Sequence, residues 1–314
     1  MTQRPLLLGS RKSPMAIVQS ELVAALITER TGRQVEIVGV TTLGDVSRAQ
    51  LTQIGGTGVF VSALREALLG GEVDLAVHSL KDLPAADAPG VTLAAVPPRD
   101  DPRDALVARD GAKLADLPAG ARIGTGSPRR AAQLLALRGD LQTVPIRGNA
   151  GTRLRHVSDG ELDGVVLACA GLARIGRLDA ITQIFEPEEM LPAPGQGALA
   201  VECRAGDTDL AGLLAQVDDQ ASRAAVTAER AVLAGLAAGC SAPVGAYAAG
   251  TEILQLRAVV AALDGGSALR ASATAPAAEA GRLGRDVAAE LLRQGAAAYV
   301  AGSSEYISNG DDAS

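Results

Sequence analysis

The sequence predicts an α/β protein made of two similar α/β halves followed by a small α+β domain. Three observations support this. The chain has 314 residues, more than one ordinary hydrophobic core supports. Short apolar runs alternate with helical patterns in a β-α-β-α-β order, which is typical of a parallel sheet. Three of these elements then recur in the same order further along the chain, which indicates an internal repeat.

Composition and charge exclude several classes of function. The net charge of −7 argues against a general nucleic-acid surface, so any anion binding must be local. The sequence shows no apolar run of membrane-spanning length and no signal-peptide pattern, so we expect a cytoplasmic protein without nucleic-acid or membrane partners. None of the three cysteines lies in a CxxC pair, and two histidines offer little material for a metal site, so we expect no metal.

The first half begins with a strand and a well-formed helix start. Ser13 is a favourable N-cap, and Pro14 suits the first helical position. The elements predicted here are a strand over 6–9, a helix ending at Gly32, a strand over 35–41, a polar loop over 42–58 and a helix over 59–69.

A third strand, predicted over 73–77, precedes the first candidate site. It leads directly into a cluster of polar and charged groups: His78, Ser79, Lys81 and Asp82. Because open α/β sheets bind ligands at the carboxyl ends of their strands, this cluster is placed to do chemistry. Taken alone, the segment fits equally well a solvated loop in which Asp82 turns the chain before Pro84.

The pattern recurs after a proline-rich crossing at 97–104. Segment 123–128 repeats the strand, loop and Ser-Pro helix start of 9–14, segment 147–153 leads into a helix as 55–58 does, and 160–168 echoes 71–77. We therefore expect two similar halves whose strand ends and helix N-termini face one another across a cleft.

Cationic residues gather at the strand-to-helix junctions. Helix N-termini favour anions, and arginine binds carboxylates bidentately. A solvated position would explain any one of these residues, but their recurrence at equivalent junctions predicts binding of a small polyanion. They are Arg11, Lys12 and Lys81 in the first half and Arg129, Arg130, Arg147, Arg153 and Arg174 in the second.

The composition changes near Asp218, where a small α+β domain is predicted. Its expected elements are a helix over 222–236, strands over 253–263 and 269–274, and a helix over 281–294, with a disordered end over 308–314.

Cys240 follows the first of these helices in a Gly-Cys-Ser-Ala-Pro loop. A free cysteine is most often a small buried hydrophobe, but a thiol in a loop is more accessible and can react. Cys169, placed within a strand over 165–170, and Cys203 are better candidates for the core.

Five motifs, in this order, resemble those of the porphobilinogen deaminase (hydroxymethylbilane synthase) family. They are His78-Ser-Leu-Lys-Asp-Leu-Pro84, Gly124-Thr-Gly-Ser-Pro-Arg-Arg130, Arg147-Gly-Asn-Ala-Gly-Thr-Arg-Leu-Arg155, Pro194-Gly-Gln-Gly-Ala198, and Ala228-Glu-Arg with Gly239-Cys-Ser-Ala-Pro-Val-Gly245. The resemblance runs from Arg11 to about Gly245, and several blocks in order are highly specific.

The resemblance implies two periplasmic-binding-protein-like α/β domains around a cleft and an α+β third domain. The expected division is 1–98 with 198–217 for domain 1, 103–192 for domain 2 with the arginine cluster, and 220–307 for domain 3 with the cofactor cysteine.

The implied activity is that of a monomeric transferase of porphyrin and heme biosynthesis. A dipyrromethane primer, joined to Cys240 by a thioether, receives four porphobilinogen units head to tail with loss of ammonia, and hydrolysis releases hydroxymethylbilane. Asp82 matches the family's catalytic carboxylate, which would stabilise the cations formed on the pyrrole rings. Positions matching the family's binding groups for acetate and propionate side chains are Arg11, Ser13, Ser79, Lys81, Thr125, Ser127, Arg129, Arg130, Arg147, Arg153 and Arg174.

The 42–58 loop departs from the family pattern. The family's Gly-Gly-Lys-Gly appears as Gly55-Gly-Thr57-Gly, and Gln53 stands where lysine is common. This loop would therefore bring less positive charge to the cleft.

Two other functions fit part of the pattern. A two-domain receptor for a small dicarboxylate or oxyanion explains the repeat and the cations, but not a third domain presenting Cys240. A thiol-dependent enzyme, or one forming a Schiff base at Lys81, is the second alternative. Only the deaminase predicts a covalent dipyrrole adduct.

Overall fold

The computed structural model describes residues 4–40, 58–239 and 242–301. The described strands are β1 (Leu6–Arg11), β2 (Val35–Val40), β3 (Leu75–Ser79), β4 (Val91–Ala95), β5 (Asp104–Ala108), β6 (Arg122–Gly124), β7 (Gln142–Val144), β8 (Gly164–Ala168), β9 (Gln183–Phe185), β10 (Leu199–Arg204), β11 (Val244–Ala249), β12 (Ile253–Ala261) and β13 (Ala268–Pro276). The described α-helices are α1 (Pro14–Thr31), α2 (Gly58–Leu69), α3 (Pro128–Leu137), α4 (Ala150–Ser158), α5 (Cys169–Arg174), α6 (Thr208–Leu214), α7 (Gln220–Gly235), α8 (Ala280–Arg293) and α9 (Ala296–Ala301).

The chain divides into two compact units, 1–100 with 198–223 and 101–197 with 224–314. The second unit contains both the second α/β half and the C-terminal sheet, and the predicted division into three domains stays a prediction. None of the described helices is long and apolar enough to cross a membrane.

The first unit contains a five-stranded sheet in the order β2-β1-β3-β10-β4. β1 runs parallel to β2 and β3, whereas β10 runs antiparallel to β3 and β4. Helix α1 begins where predicted, because the Ser13 hydroxyl accepts a hydrogen bond from the Ala16 N–H, and it ends at Gly32 with φ of 70°. Its buried face packs on a core that includes Leu8, Leu75 and Val201.

The second unit repeats this topology in a sheet ordered β7-β6-β8-β5-β9. β6 runs parallel to β7 and β8, and β5 runs antiparallel to β8 and β9. Each sheet thus has four strands that run in one direction and one reversed strand, which is fourth in the strand order of both sheets. In the first unit the reversed strand is β10, which comes after the second half in the sequence. In the second unit the reversed strand is β5, which comes directly after the first half. The predicted internal repeat is confirmed.

The C-terminal sheet is antiparallel, in the order β11-β12-β13. Helix α8 packs against β12 and β13. A Cβ atom at Gly284 would lie 2.2 Å from the carbonyl oxygen of Ala228, so glycine is required where α8 approaches α7. These elements confirm the predicted small α+β fold, in which helix α7 starts two residues earlier and β12 ends two residues earlier than predicted.

Several predicted elements differ from the structure. The strand predicted over 73–77 is observed at 75–79. Asp74 lies just before β3, and its side-chain carboxylate accepts the Leu7 N–H. The placement of Cys169 in a strand is wrong, because β8 ends at Ala168 and Cys169 begins α5. Strands β4, β5, β7, β9 and β11 were not predicted. Most of the predicted 42–58 loop, with Gln53 and Thr57, and the 308–314 end lie outside the described residues.

Candidate functional site

Asp82 is presented at the carboxyl edge of the first sheet. Strand β3 ends at Ser79 and continues into a 3₁₀ turn over Leu80–Asp82. The Leu80 N–H donates to the Ala198 carbonyl at 3.0 Å, and the Leu80 side chain is fully buried. The Asp82 side chain is exposed. The turn is therefore anchored through its apolar residue while its carboxylate faces outward.

Cationic and hydroxyl groups share this edge of the sheet. Arg11 is the last residue of β1, which lies beside β3 and runs parallel to it, so the ends of both strands meet at one edge. Ser13 follows and caps α1, its hydroxyl accepting from the Ala16 N–H at 3.3 Å. Lys81 is half-buried next to Asp82. The first half thus combines one exposed carboxylate with nearby cations.

The corresponding edge of the second half carries Thr125 and Ser127. Both follow β6, which ends at Gly124. The buried Thr125 hydroxyl accepts the Ser127 N–H at 3.1 Å, and the Ser127 hydroxyl caps α3 by accepting the Arg130 N–H at 3.4 Å. A helix N-terminus capped in this way attracts anions.

A second helix N-terminus lies beside the first. Asn149 caps α4, and the Arg153 Nε donates to the Gly148 carbonyl at 3.0 Å. A Cβ atom at Gly126 would lie 2.6 Å from the Ile146 carbonyl oxygen and 4.0 Å from Nη2 of Arg153. The loops after β6 and β7 are therefore in contact, glycine is required where Gly126 meets the Ile146 carbonyl, and the Arg153 guanidinium lies nearby.

Arg129 and Arg130 lie in the first turn of α3 and are buried, with 3% and 5% of their surface exposed. The fully buried Asp104 lies between them. Its Oδ2 accepts from Nη1 of Arg129 at 2.8 Å, and its Oδ1 accepts from Nε of Arg130 at 2.9 Å. Burial alone would raise the pKa of Asp104, but the charges of both arginines hold it well below its usual range. Asp104 is therefore a permanent anion.

The cluster of Arg129, Arg130 and Asp104 contains two cations and one anion. Gln196 completes it, donating from Nε2 to Asp104 at 2.8 Å and to the Pro102 carbonyl at 2.7 Å. Nε of Arg129 is buried without a hydrogen-bond partner. An unpartnered buried donor in a net-positive cluster is unfavourable, and an anion would relieve it. The donor set therefore fits a group that carries carboxylates.

Two further predicted binding residues lie in the second unit. Arg147 is exposed between β7 and α4. Arg174 ends α5, and its Nη2 donates to the Gly197 carbonyl at 2.8 Å. Gly197 has a φ of 86°, a conformation that favours glycine.

Two of the three thiols are unreactive. Cys169 and Cys203 are buried, and burial raises the pKa of both, that of Cys169 to about 12. Cys240 lies outside the described residues. Within the described ranges, no group of three or more His, Cys, Asp or Glu side chains could hold a metal ion.

Sequence reasoning missed Asp104 and Gln196 as parts of the arginine cluster. Asp104 stood in the proline-rich crossing, but it directly precedes the apolar run Ala105–Ala108. An acidic residue at the start of a fully buried strand is a signal for a buried partner. Gln196 has no such signal outside its Pro-Gly-Gln-Gly motif.

Hydroxyls, helix N-termini and arginines lie at the carboxyl edges of two like sheets, an arrangement expected of an α/β protein of the small-anion-binding class. A family model described as "Porphobilinogen deaminase, dipyromethane cofactor binding domain" matches residues 6–212, and the C-terminal domain of the same enzyme matches 223–293. The chain belongs to the porphobilinogen deaminase family, whose members are transferases of tetrapyrrole biosynthesis, and it contains the dipyrromethane cofactor-binding domain of that family.

Curated relatives agree along nearly the whole chain. The porphobilinogen deaminase of Thermobifida fusca is 59% identical over 311 residues, covering 96% of this chain and 97% of the relative. Porphobilinogen deaminase 1 of Streptomyces coelicolor is 55% identical, covering 95% and 98%. The porphobilinogen deaminase of Mycobacterium marinum is 55% identical, covering 92% and 95%.

Among solved structures, a periplasmic substrate-binding protein of an ABC transporter from Coxiella burnetii aligns with a TM-score of 0.43 and 17% identity, covering 68% of this chain and 91% of that chain. The methionine-binding protein MetQ aligns with a TM-score of 0.44 and 12% identity, covering 68% and 89%.

Proposed function

We propose that this chain performs the reaction of its family with Asp82 as the catalytic carboxylate and Cys240 as the attachment point of the cofactor. Four porphobilinogen units are joined head to tail with loss of ammonia, and hydrolysis releases hydroxymethylbilane. The observation that carries the proposal is the exposed Asp82 carboxylate on an anchored turn at the strand edge, beside Arg11 and Lys81.

Asp82 has a defined electrostatic task in this chemistry. When the aminomethyl group of porphobilinogen loses ammonia, positive charge develops on the pyrrole ring and its N–H. A fixed carboxylate within hydrogen-bond reach of that N–H stabilises the charge as it forms. Over one cycle Asp82 also shuttles a proton: it accepts one from the ring carbon that has formed the new bond and gives one to the leaving amine, which returns it to the charged form.

The arginines and hydroxyls hold the carboxylate side chains of the rings. When bound, dipyrromethane supplies a pyrrole primer whose free α-carbon is the nucleophile for chain growth. In the second half its acetate and propionate groups would be bound by Thr125, Ser127, Arg129, Arg130, Arg147, Arg153 and Arg174. The buried unpartnered Nε of Arg129 supports this assignment. Arg11, Ser13, Ser79 and Lys81 would serve the first half in the same way.

We also propose a monomeric, cytoplasmic enzyme with three domains at 1–98 with 198–217, 103–192 and 220–307. The separate family match for the C-terminal domain, which begins at residue 223, supports the third boundary. The net charge of −7 supports a small-molecule partner over nucleic acid.

Intact mass measurement of the purified protein tests the attachment point. The wild-type chain is expected to be heavier than its sequence by two pyrrole units, and Cys240→Ser is expected to lose that mass entirely. Cys169→Ala is the matched control, because its thiol is buried, and it should keep the adduct. An adduct retained by Cys240→Ser, or lost by Cys169→Ala, would contradict the proposal.

A further inference from the structure

The first unit contains a buried charged cluster that the proposed chemistry does not use. It consists of Arg65 on α2, His78 on β3 and Glu202 on β10. The side chains of His78 and Glu202 are 5% and 3% exposed, and that of Arg65 is 16% exposed. We call these three residues the Glu202 cluster.

Glu202 is the centre of the cluster. Its Oε1 accepts from Nη2 of Arg65 at 2.6 Å and its Oε2 from Nε of Arg65 at 3.0 Å. Nε2 of His78 lies 3.2 Å from the same Oε2. Burial alone would raise the pKa of Glu202, but the adjacent His78 ring and the hydrogen bonds from Arg65 lower it to about 2. The carboxylate is therefore ionised at neutral pH and fixed from two sides.

One member of the cluster, His78, lies on the strand that leads into the turn with Asp82. His78 is the penultimate residue of β3, and the strand then continues into the turn Leu80–Asp82. Strand β10 pairs with β3 from Leu199 opposite Ser79 to Cys203 opposite Leu75. The side chain of His78 is thus tied to the neighbouring strand four residues before Asp82.

Stability alone does not explain a buried charged cluster at this place. Desolvation of buried charges offsets most of their attraction, and well-packed apolar residues of similar volume often serve equally well. The cluster also holds neighbouring elements together, because the Glu202 carboxylate on β10 contacts both Arg65 on α2 and His78 on β3. Glu202 lies opposite Ala76, and its partner His78 is one residue from the end of the strand that leads into the turn with the proposed catalytic residue.

We propose that Glu202 is a positioning residue for the reaction: by holding His78 and Arg65 it fixes the end of β3 and thereby the direction of the Asp82 carboxylate. This inference rests on the proposed catalytic role of Asp82. In Glu202→Gln the side chain keeps its shape but loses the charge that both partners share.

The test compares Glu202→Gln with Asp74→Asn in the protein carrying its cofactor. Asp74 is a matched control at the opposite end of β3: it is buried, accepts two hydrogen bonds from Arg4 at 2.8 Å each, and accepts the Leu7 N–H. Both variants remove a buried carboxylate that is paired with an arginine, Glu202 on β10 beside β3 and Asp74 directly before β3. For Glu202→Gln we expect a fall in kcat of roughly tenfold or more with KM nearly unchanged, and for Asp74→Asn a kcat close to wild type.

Asp82→Asn and the double variant with Glu202→Gln complete the test. If Glu202 acts only through Asp82, the double variant is no slower than Asp82→Asn alone. If Glu202→Gln does not fold, His78→Gln replaces it, since the Arg65–Glu202 pair stays intact, and the same fall in kcat is expected.

The inference is overturned if Glu202→Gln and Asp74→Asn lose kcat alike, or if the effects of Glu202→Gln and Asp82→Asn multiply. A wild-type rate in Asp82→Asn refutes the role of Asp82 itself, and the inference falls with it. The failure of the positioning role and the failure of the catalytic role therefore give different results.

Discussion

The two α/β halves share a strand order but distribute their buried charges differently. In the first half one carboxylate, Glu202, is shared by Arg65 and His78, and Asp82 is exposed. In the second half two buried arginines share the single carboxylate of Asp104. One scaffold thus presents a carboxylate at one strand edge and excess positive charge at the other. A polyanionic substrate with a transient positive centre requires both.

The largest effect on stability is expected from a substitution of Asp104, which pairs with the buried Arg129 and Arg130 in the second half. Asp104→Asn leaves two buried guanidiniums without a counter-charge, and we expect a loss of roughly 3–5 kcal/mol in the free energy of unfolding. Denaturant titration measures it. Asp140→Asn, which breaks the exposed pair with Arg138 in the same half, is the control and should have a far smaller effect. Equal losses of unfolding free energy in the two variants would show that burial does not increase the contribution of the Asp104 ion pairs.

In the first half, the contribution of Glu202 depends on pH. Its folded-state pKa of about 2 lies below the ordinary value of 4.5, so its stabilisation is fully present above pH 4.5 and is lost as the pH falls towards 2. The difference in unfolding free energy between wild type and Glu202→Gln should therefore shrink over that window. Denaturant titrations at several pH values measure it, and a constant difference would contradict the ion pairing.

Gly9 within β1 and Gly124 at the end of β6 should tolerate a methyl group unequally. A Cβ atom at Gly124 would lie 2.6 Å from Leu162 and 2.9 Å from Ile146, whereas at Gly9 the nearest atom, on Val73, is 3.1 Å away. We expect Gly124→Ala to lose about 1–3 kcal/mol of unfolding free energy and Gly9→Ala clearly less. Thermal or denaturant unfolding checks this, and the reverse order would contradict the closer packing around Gly124.

The smallest expected effect separates helix capping from ligand binding. Ser127→Ala and Asn149→Ala each remove an N-cap hydrogen bond in the second half and should each lose about 1 kcal/mol of stability. Only Ser127 is a proposed ligand-binding residue, so only Ser127→Ala should also raise KM. Equal KM values for the two variants would restrict Ser127 to capping.

The sequence predicted the elements whose signals are local. The Ser-Pro helix starts at Ser13 and Ser127 fix helix boundaries through their own backbone hydrogen bonds, and the structure has both caps. Strands β4, β5 and β11 were missed because short apolar runs beside prolines carry no periodicity. Their existence depends on pairing with distant strands such as β10 and β8.

The environment of the site residues was harder to predict than their identity. Arg129 and Arg130 were expected at a solvent-facing cleft, yet their charges are balanced by Asp104, about 25 residues earlier. Burial of a cation depends on a partner that only the folded sheet brings near. The Glu202 cluster was missed for the same reason, since Arg65 and Glu202 are 137 residues apart.

Turnover of Asp82→Asn shows whether the negative charge of Asp82 is needed for the reaction. Asparagine keeps the side chain's size and removes its charge, so the developing positive charge on the pyrrole ring is no longer stabilised. We expect consumption of porphobilinogen to fall by roughly a hundredfold or more, while the intact mass still shows the two-pyrrole adduct. A variant that keeps its adduct and turns over at a rate near that of the wild type would contradict the account.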